Sequence, residues 1–259
     1  MPFRENDGLR YLTFDIFPAS LLHGVISRRG GVSPSPWDSL NVGGTVGDER
    51  ARVRENRQRS FSAFGRPLAS IFDVWQVHSA DVVFGDSPID PDTDLTKADV
   101  ILTDRPEVTL YMRFADCVPI LLHDPVKGVA GIAHAGWLGT VRGAGRAAVQ
   151  AMQDRYGSRP ADILAAIGPS IGPDHYEVGQ DVIGQFQEAF GSAAGDLIHY
   201  HEGRTHLDLW AANRRQLQEA GVEQIEVAQV CTACHLEDWF SHRAEKGKTG
   251  RFGAIMALV

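Results

Sequence analysis

Cys117 in FADCVP, His134 in IAHAGW and His78 in WQVHSADV are the side chains of this sequence best suited to holding a metal ion. A thiolate with two imidazoles is a good ligand set for zinc, and three protein ligands leave a fourth position open for water or substrate. Water on such an ion loses a proton near neutral pH and becomes a usable nucleophile. The same residues would equally suit a buried thiol and two packed histidines, because spacing alone does not show that they converge. A further chemistry keeps Cys117 as a metal-free nucleophile, with His78 or His134 as its base.

Convergence would depend on the elements that carry them, and all three residues fall at predicted strand ends. An apolar run at about 71–77 (IFDVWQV) stops at His78. The runs VTLYMRF, VPILLHD and GVAGIAH follow one another around Cys117 and His134. They are short, rich in β-branched residues and bounded by Asp, Pro or Gly, as buried strands are. Earlier, LLHGVIS predicts a strand over about 21–27, and Asp48 is placed to cap a helix over about 49–63. Later, the spacing predicts a helix over about 139–156 with Val141, Ala144, Ala148 and Met152 on one face, closed by Gly157. The last third reads as a strand at about 162–167, helices at about 179–190 and 208–220, a strand at about 224–230 and the closing strand FGAIMAL. This alternation implies an α+β (mixed α/β) fold, a layered sandwich of β-sheets flanked by helices.

The chain has 259 residues, 43% of them hydrophobic, and no Pro/Ser/Gly-rich or single-charge linker, so one domain over residues 1–259 is expected. A net charge of −8 argues against nucleic acid and anionic membranes as partners. The N-terminal MPFRENDGLRYLTF has no secretory h-region and no apolar run approaches a bilayer span, which points to a cytoplasmic protein. The cysteines are three, Cys117, Cys231 and Cys234, too few and too odd for a disulfide framework.

Two strings imitate other metal sites. Cys231-Thr-Ala-Cys234-His235-Leu-Glu237 holds C-x-x-C and H-x-E, the parts of a nucleobase-deaminase zinc site. Here their order is reversed, they abut, and no proline precedes Cys231, so the thiols read as structural. His199-Tyr-His201 is the single H-x-H pair, against the several that a trinuclear copper cluster requires. Copper binds a Cys/His₂ site as well as zinc does, so copper is possible here without implying oxidase chemistry.

The strings ISRRGGVS, SLNVG, QVHSADV, FADCVPILL, AHAGW, IGPSIGP with YEVG, CTAC and FSHR…GKTGR together resemble the laccase-domain (YfiH-type) polyphenol oxidase family. That family is also described as purine nucleoside phosphorylase and adenosine deaminase, and in some bacteria as a peptidoglycan-editing factor. The resemblance runs from about residue 23 to the C-terminus and implies a YfiH-like fold. It also implies that His78, Cys117 and His134 are zinc ligands acting in catalysis through the metal. By the same resemblance Asn41, Arg57 and Arg243 become candidates for substrate or phosphate. Arg28, in the basic turn Ser27-Arg28-Arg29-Gly30-Gly31, joins them because guanidinium and backbone N–H groups can meet an oxyanion. Asp116, beside Cys117, is a candidate for orienting a ligand.

This chain departs from the family at Leu138-Gly139, where Arg-Gly usually follows HAGW, and at Ala244, where a second arginine is common after FSHR. The leading expectation is a zinc enzyme that phosphorolyses adenosine or inosine and deaminates adenosine, as a monomer or weak homo-oligomer. The alternatives are a laccase-like polyphenol oxidase, an amidase editing a peptidoglycan precursor, and a metal-binding scaffold of low activity.

Overall fold

The computed structural model describes residues 2–90 and 93–259. Met1 and residues 91–92, part of the expected 1–259 unit, lie outside the described residues. The chain begins with β1 (Phe3–Asn6), β2 (Leu9–Leu12) and β3 (Leu21–Ile26), then helix α1 (Arg50–Ala63). Short strands β4 (Ile71–Phe72), β5 (Val82–Phe84) and β6 (Val100–Thr103) lead to the long β7 (Thr109–Phe114), β8 (Val118–Asp124) and β9 (Val129–Ala135). Next come α2 (Trp137–Arg142), α3 (Ala144–Tyr156), β10 (Leu164–Ile167) and α4 (Gln180–Phe190). The hairpin β11 (Ile198–His201) and β12 (Arg204–Leu207), α5 (Leu209–Glu219), β13 (Gln224–Val227) and β14 (Phe252–Leu258) complete the chain.

Two six-stranded mixed sheets result, with orders β1-β2-β3-β14-β7-β4 and β13-β10-β8-β9-β6-β5. Side chains alternate between the faces of a strand, and the packing follows that parity. Leu110, Met112 and Phe114 of β7 meet Leu121, Ala130 and Ile132 of the second sheet to fill the space between the sheets. The opposite parity of β8, Ile120 and Leu122, packs against Ala148 and Met152 of α3 and Leu217 of α5. On the outer face of the first sheet, Tyr111 and Ile255 pack against Phe61 of α1. The expected layered sandwich is therefore observed, in the order helix, sheet, sheet, helices. Every residue of β8 and β9 is buried, which is why their sequences are mostly apolar and show no regular polar alternation.

Several local expectations are corrected. The strand expected at 71–77 is regular only over Ile71–Phe72, followed by an isolated parallel bridge of Trp75 to Lys97. Beyond it the Gln76 side chain does the pairing, accepting from Arg113 N at 3.0 Å and donating to Arg113 O at 2.8 Å. The helix expected over 139–156 is two helices, divided at Gly143 with φ +78°, a left-handed conformation that costs glycine least. Asp48 does not cap α1. Its carboxylate accepts from Ser33 Oγ at 2.6 Å, Asn41 Nδ2 at 3.0 Å and Glu49 N at 2.8 Å, and the α1 N-cap residue is Glu49. The strands expected at 162–167 and 224–230 are shorter, Leu164–Ile167 and Gln224–Val227.

Candidate metal centre

Register places the three candidate ligands. Strands β8 and β9 pair with Val118 opposite Ala135, so Cys117, just before β8, comes beside Gly136, just after β9. His134 has the parity of Ala130 and Ile132 and points into the inter-sheet layer, its ring 5.4 Å from that of Phe114. His78 reaches the same spot from the irregular segment after β4, with φ +58°. One ligand atom from each of the three lies within 4.8 Å of the others. Cys117 Sγ and His78 Nε2 are 3.8 Å apart, and the two histidine rings are 5.0 Å apart. Burial is graded across the group: His134 is buried, Cys117 half-buried and His78 exposed. The cluster therefore has a closed rear and an open face.

Asp99 assembles the rear. Its Oδ1 accepts from His134 Nδ1 at 2.8 Å, and its Oδ2 accepts from Val77 N at 3.0 Å and Ser79 N at 2.6 Å. One carboxylate thus orients one histidine and holds the backbone on both sides of the other. A carboxylate behind a histidine fixes its tautomer and leaves Nε2 as the ligating lone pair. Arg142, from the last turn of α2, donates to His78 O at 2.8 Å.

Burial alone would raise the Asp99 carboxyl, but the His134 hydrogen bond and charge and the two backbone N–H groups draw it down to about 2. Burial opposes charge at Cys117 as well. There His134, then His78, bring the thiol down to about 6. Burial would lower His134, yet the Cys117 charge and Asp99 raise it to about 9. In the protein without metal, thiolate and imidazolium sustain each other as a pair.

The residues present suit a metal. The donors are one sulfur and two nitrogens, and Gly136 leaves room for them: a Cβ at this position would fall 2.7 Å from Cys117 Sγ and 3.1 Å from His78 Cδ2.

The candidate substrate residues are placed unequally. Arg28 is buried, and its guanidinium donates to Asp38 O, Leu236 O and Trp239 O and pairs with Glu245 at 3.1 Å. Asn41 is also buried; its side chain bonds Asp48, both Gly43 backbone groups and Arg251 N. These two residues tie loops together. Arg57 donates to Val42 O at 3.0 Å and lies 3.9 Å from Asp73, a carboxylate that Arg113 also engages. Arg243 is exposed, donates to Glu177 O at 2.7 Å and lies over the Tyr176 ring. Asp116 bonds Thr232 Oγ1 at 2.6 Å and Arg243 N at 2.6 Å, so it anchors the C-terminal loop beside the cluster.

Sequence reasoning missed Asp99. The signal was a lone carboxylate at the mouth of a fully buried strand, Lys97-Ala98-Asp99 before Val100–Thr103. Among the described residues, the close groups of metal-ligating side chains are two, and neither includes His199 or His201. His235 pairs with Glu237 at 3.3 Å, outside both groups.

A family model described as multi-copper polyphenol oxidoreductase laccase matches residues 22–259. A Deinococcus radiodurans protein named purine nucleoside phosphorylase is 41% identical over 236 residues, which cover 91% of this chain and 88% of that one. The Bacillus subtilis purine nucleoside phosphorylase YlmD is 36% identical over 246 residues, covering 92% and 88%. Among solved structures, YfiH of Bacillus licheniformis superposes with a TM-score of 0.92 at 35% identity, covering 100% of this chain and 99% of the other. YlmD from Geobacillus stearothermophilus gives 0.91 at 36% identity, covering 99% and 98%.

Proposed function

The chain belongs to the multi-copper polyphenol oxidoreductase laccase family, and within it we propose that this protein is a zinc-dependent enzyme acting on purine nucleosides. The names of its relatives support purine-nucleoside processing. The observation that carries the metal reading is the convergence of His78, Cys117 and His134 within 4.8 Å, with Asp99 behind His134. A thiolate with two oriented imidazoles suits zinc, and the exposed His78 side leaves an approach for substrate. When bound, the ion would supply Lewis acidity and activation of water.

The chain's own residues then divide the work. Asp99 keeps the His134 proton on Nδ1, and Arg142 steadies the His78 backbone. Gly136 keeps the centre free of a side chain. Arg57 and Arg113 share Asp73, two guanidiniums to one carboxylate, and the Arg251 charge interacts with Cys117, Asp116, Arg113 and Glu245. In this reading these guanidiniums would draw phosphate toward the ribose carbon during phosphorolysis, giving free base and ribose 1-phosphate. Deamination of adenosine would consume water and release inosine and ammonia at the same centre.

A laccase reading would need a thiolate copper site plus a trinuclear cluster. Neither close ligand group among the described residues contains a His-x-His pair, so the nucleoside reading is favoured. The test is to follow adenosine and inosine by chromatography in metal-replete protein, with and without phosphate, alongside Cys117→Ala. Conversion by wild type with loss in the variant is expected. If neither nucleoside is converted, and the variant matches wild type in metal content, the proposal is wrong.

A further inference from the structure

The second close ligand group lies where the sequence suggested only structural thiols. Cys231 and Cys234 come from the turn after β13, and Asp174 and His175 from the turn after Ile171. One ligand atom from each of these four lies within 4.8 Å of the rest. Their segments are brought together by pairing of Ser170 with Cys231, and by Gly172, where a Cβ would fall 3.1 Å from Cys231 Cβ and 2.6 Å from Asp174 Oδ1.

The arrangement around His175 Nδ1 indicates what the group is for. That nitrogen lies 3.0 Å from Asp174 Oδ2, 3.5 Å from Cys234 Sγ and 3.7 Å from Cys231 Sγ. One imidazole N–H can serve one such acceptor well, yet three anionic or sulfur acceptors surround it. The two sulfur–nitrogen separations are close to those of a coordination shell. With zinc–sulfur bonds of about 2.3 Å and zinc–nitrogen bonds of about 2.0 Å, tetrahedral S···N edges come to about 3.5 Å. The Cys234 thiol donates to Asp174 Oδ2 at 3.3 Å, a proton that a bound ion would displace. Cys231 Sγ also accepts a backbone hydrogen bond from Gly172 N at 3.2 Å, the outer-shell contact that a coordinated thiolate needs.

We propose that Asp174, His175, Cys231 and Cys234 form a second, closed zinc site that pins the 172–176 turn to the 231–234 turn. With four protein ligands it has no open position, so it is structural. The two turns it joins border the first centre: Thr232 bonds Asp116 beside Cys117, and Tyr176 lies under Arg243. The metal would therefore hold one wall of the substrate approach in place.

The experiment measures zinc per chain by mass spectrometry in wild type, His175→Gln, Cys117→Ala and the double variant. Two, one, one and no equivalents are expected. His175 is exposed, so its variant should fold, which circular dichroism would verify. Cobalt-loaded Cys117→Ala should still show thiolate-to-metal charge-transfer absorption, lost on adding His175→Gln. As a readout that needs no variant, Cys231 and Cys234 in wild type should resist alkylation until a chelator is added. One zinc in wild type with none in Cys117→Ala overturns the proposal. So does recovery of Cys231 and Cys234 as a disulfide from metal-replete protein, or alkylation of both at the same rate before and after chelation.

Discussion

Replacing Asp99 with asparagine tests whether one buried carboxylate assembles the metal centre. Asp99 accepts three hydrogen bonds, from His134 Nδ1, Val77 N and Ser79 N. An asparagine keeps one acceptor oxygen and gains a donor NH₂. If the oxygen stays with the two backbone groups, the NH₂ faces His134 Nδ1 and moves its proton to Nε2, the atom that must ligate. If the amide turns over, NH₂ meets two backbone donors, and each buried N–H left unpaired costs about 1–3 kcal/mol. Either outcome weakens metal binding, and loss of such a supporting contact generally costs about 10–100-fold in affinity, or about 1.4–2.8 kcal/mol. Zinc affinity measured by competition with a chromophoric chelator should show a dissociation constant raised by that factor in Asp99→Asn. The carboxyl sits at about 2 against an ordinary 3.8. A depressed acid contributes stability that is whole above its unfolded value and is lost as pH falls through its folded one. The stability gap between wild type and variant should therefore close between about pH 4 and about pH 2. An unchanged zinc dissociation constant in a folded Asp99→Asn would refute the reasoning.

In chelator-treated protein, Cys117 alkylation should rise with a midpoint near pH 6 rather than 9, and bound zinc should suppress it; a midpoint at the ordinary thiol value would remove the imidazoles as its cause. The stabilising thiolate–imidazolium pair should weaken as pH falls through about 6, where the thiolate protonates, and as it rises through about 9, where His134 deprotonates; the thermal midpoint of metal-free protein across that range checks both signs. Gly136→Ala places a Cβ 2.7 Å from the Cys117 sulfur, so metal content and turnover should fall together, and retention of both would show that the ligands can yield. Gly143→Ala forces a side chain into the left-handed conformation between α2 and α3 and should cost about 1–2 kcal/mol in denaturant unfolding, with zinc stoichiometry unchanged.

The layered architecture was legible because burial on both faces writes itself into composition. The runs that became β7, β8 and β9 are mostly apolar, since one parity faces the other sheet and the opposite parity faces helices or, in β7, α1. Cys117 and His134 could be found at the ends of those runs, and the family strings singled out His78 with them. Residues 73–77 were read as strand from their apolar content, but beyond one backbone bridge at Trp75 a side-chain amide and two carboxylates supply the bonding there, and local periodicity carries no sign of that. Arg28 and Asn41 looked available for substrate because a sequence shows a polar group without its partners. Folding occupied both with loops far away in the chain.

By itself, then, the sequence determined which segments are buried, which strands run through the centre, and a thiol and two imidazoles with the chemistry to hold a metal. Only the tertiary structure decided that Asp99 stands behind His134, and that Cys231 and Cys234 face Asp174 and His175 rather than the neighbouring His235. These are pairings between residues distant in sequence, set by sheet register and by the close approach that Gly136 and Gly172 permit. Hydrophobic periodicity specifies which face of a strand is inside, but not which distant polar group will meet it there.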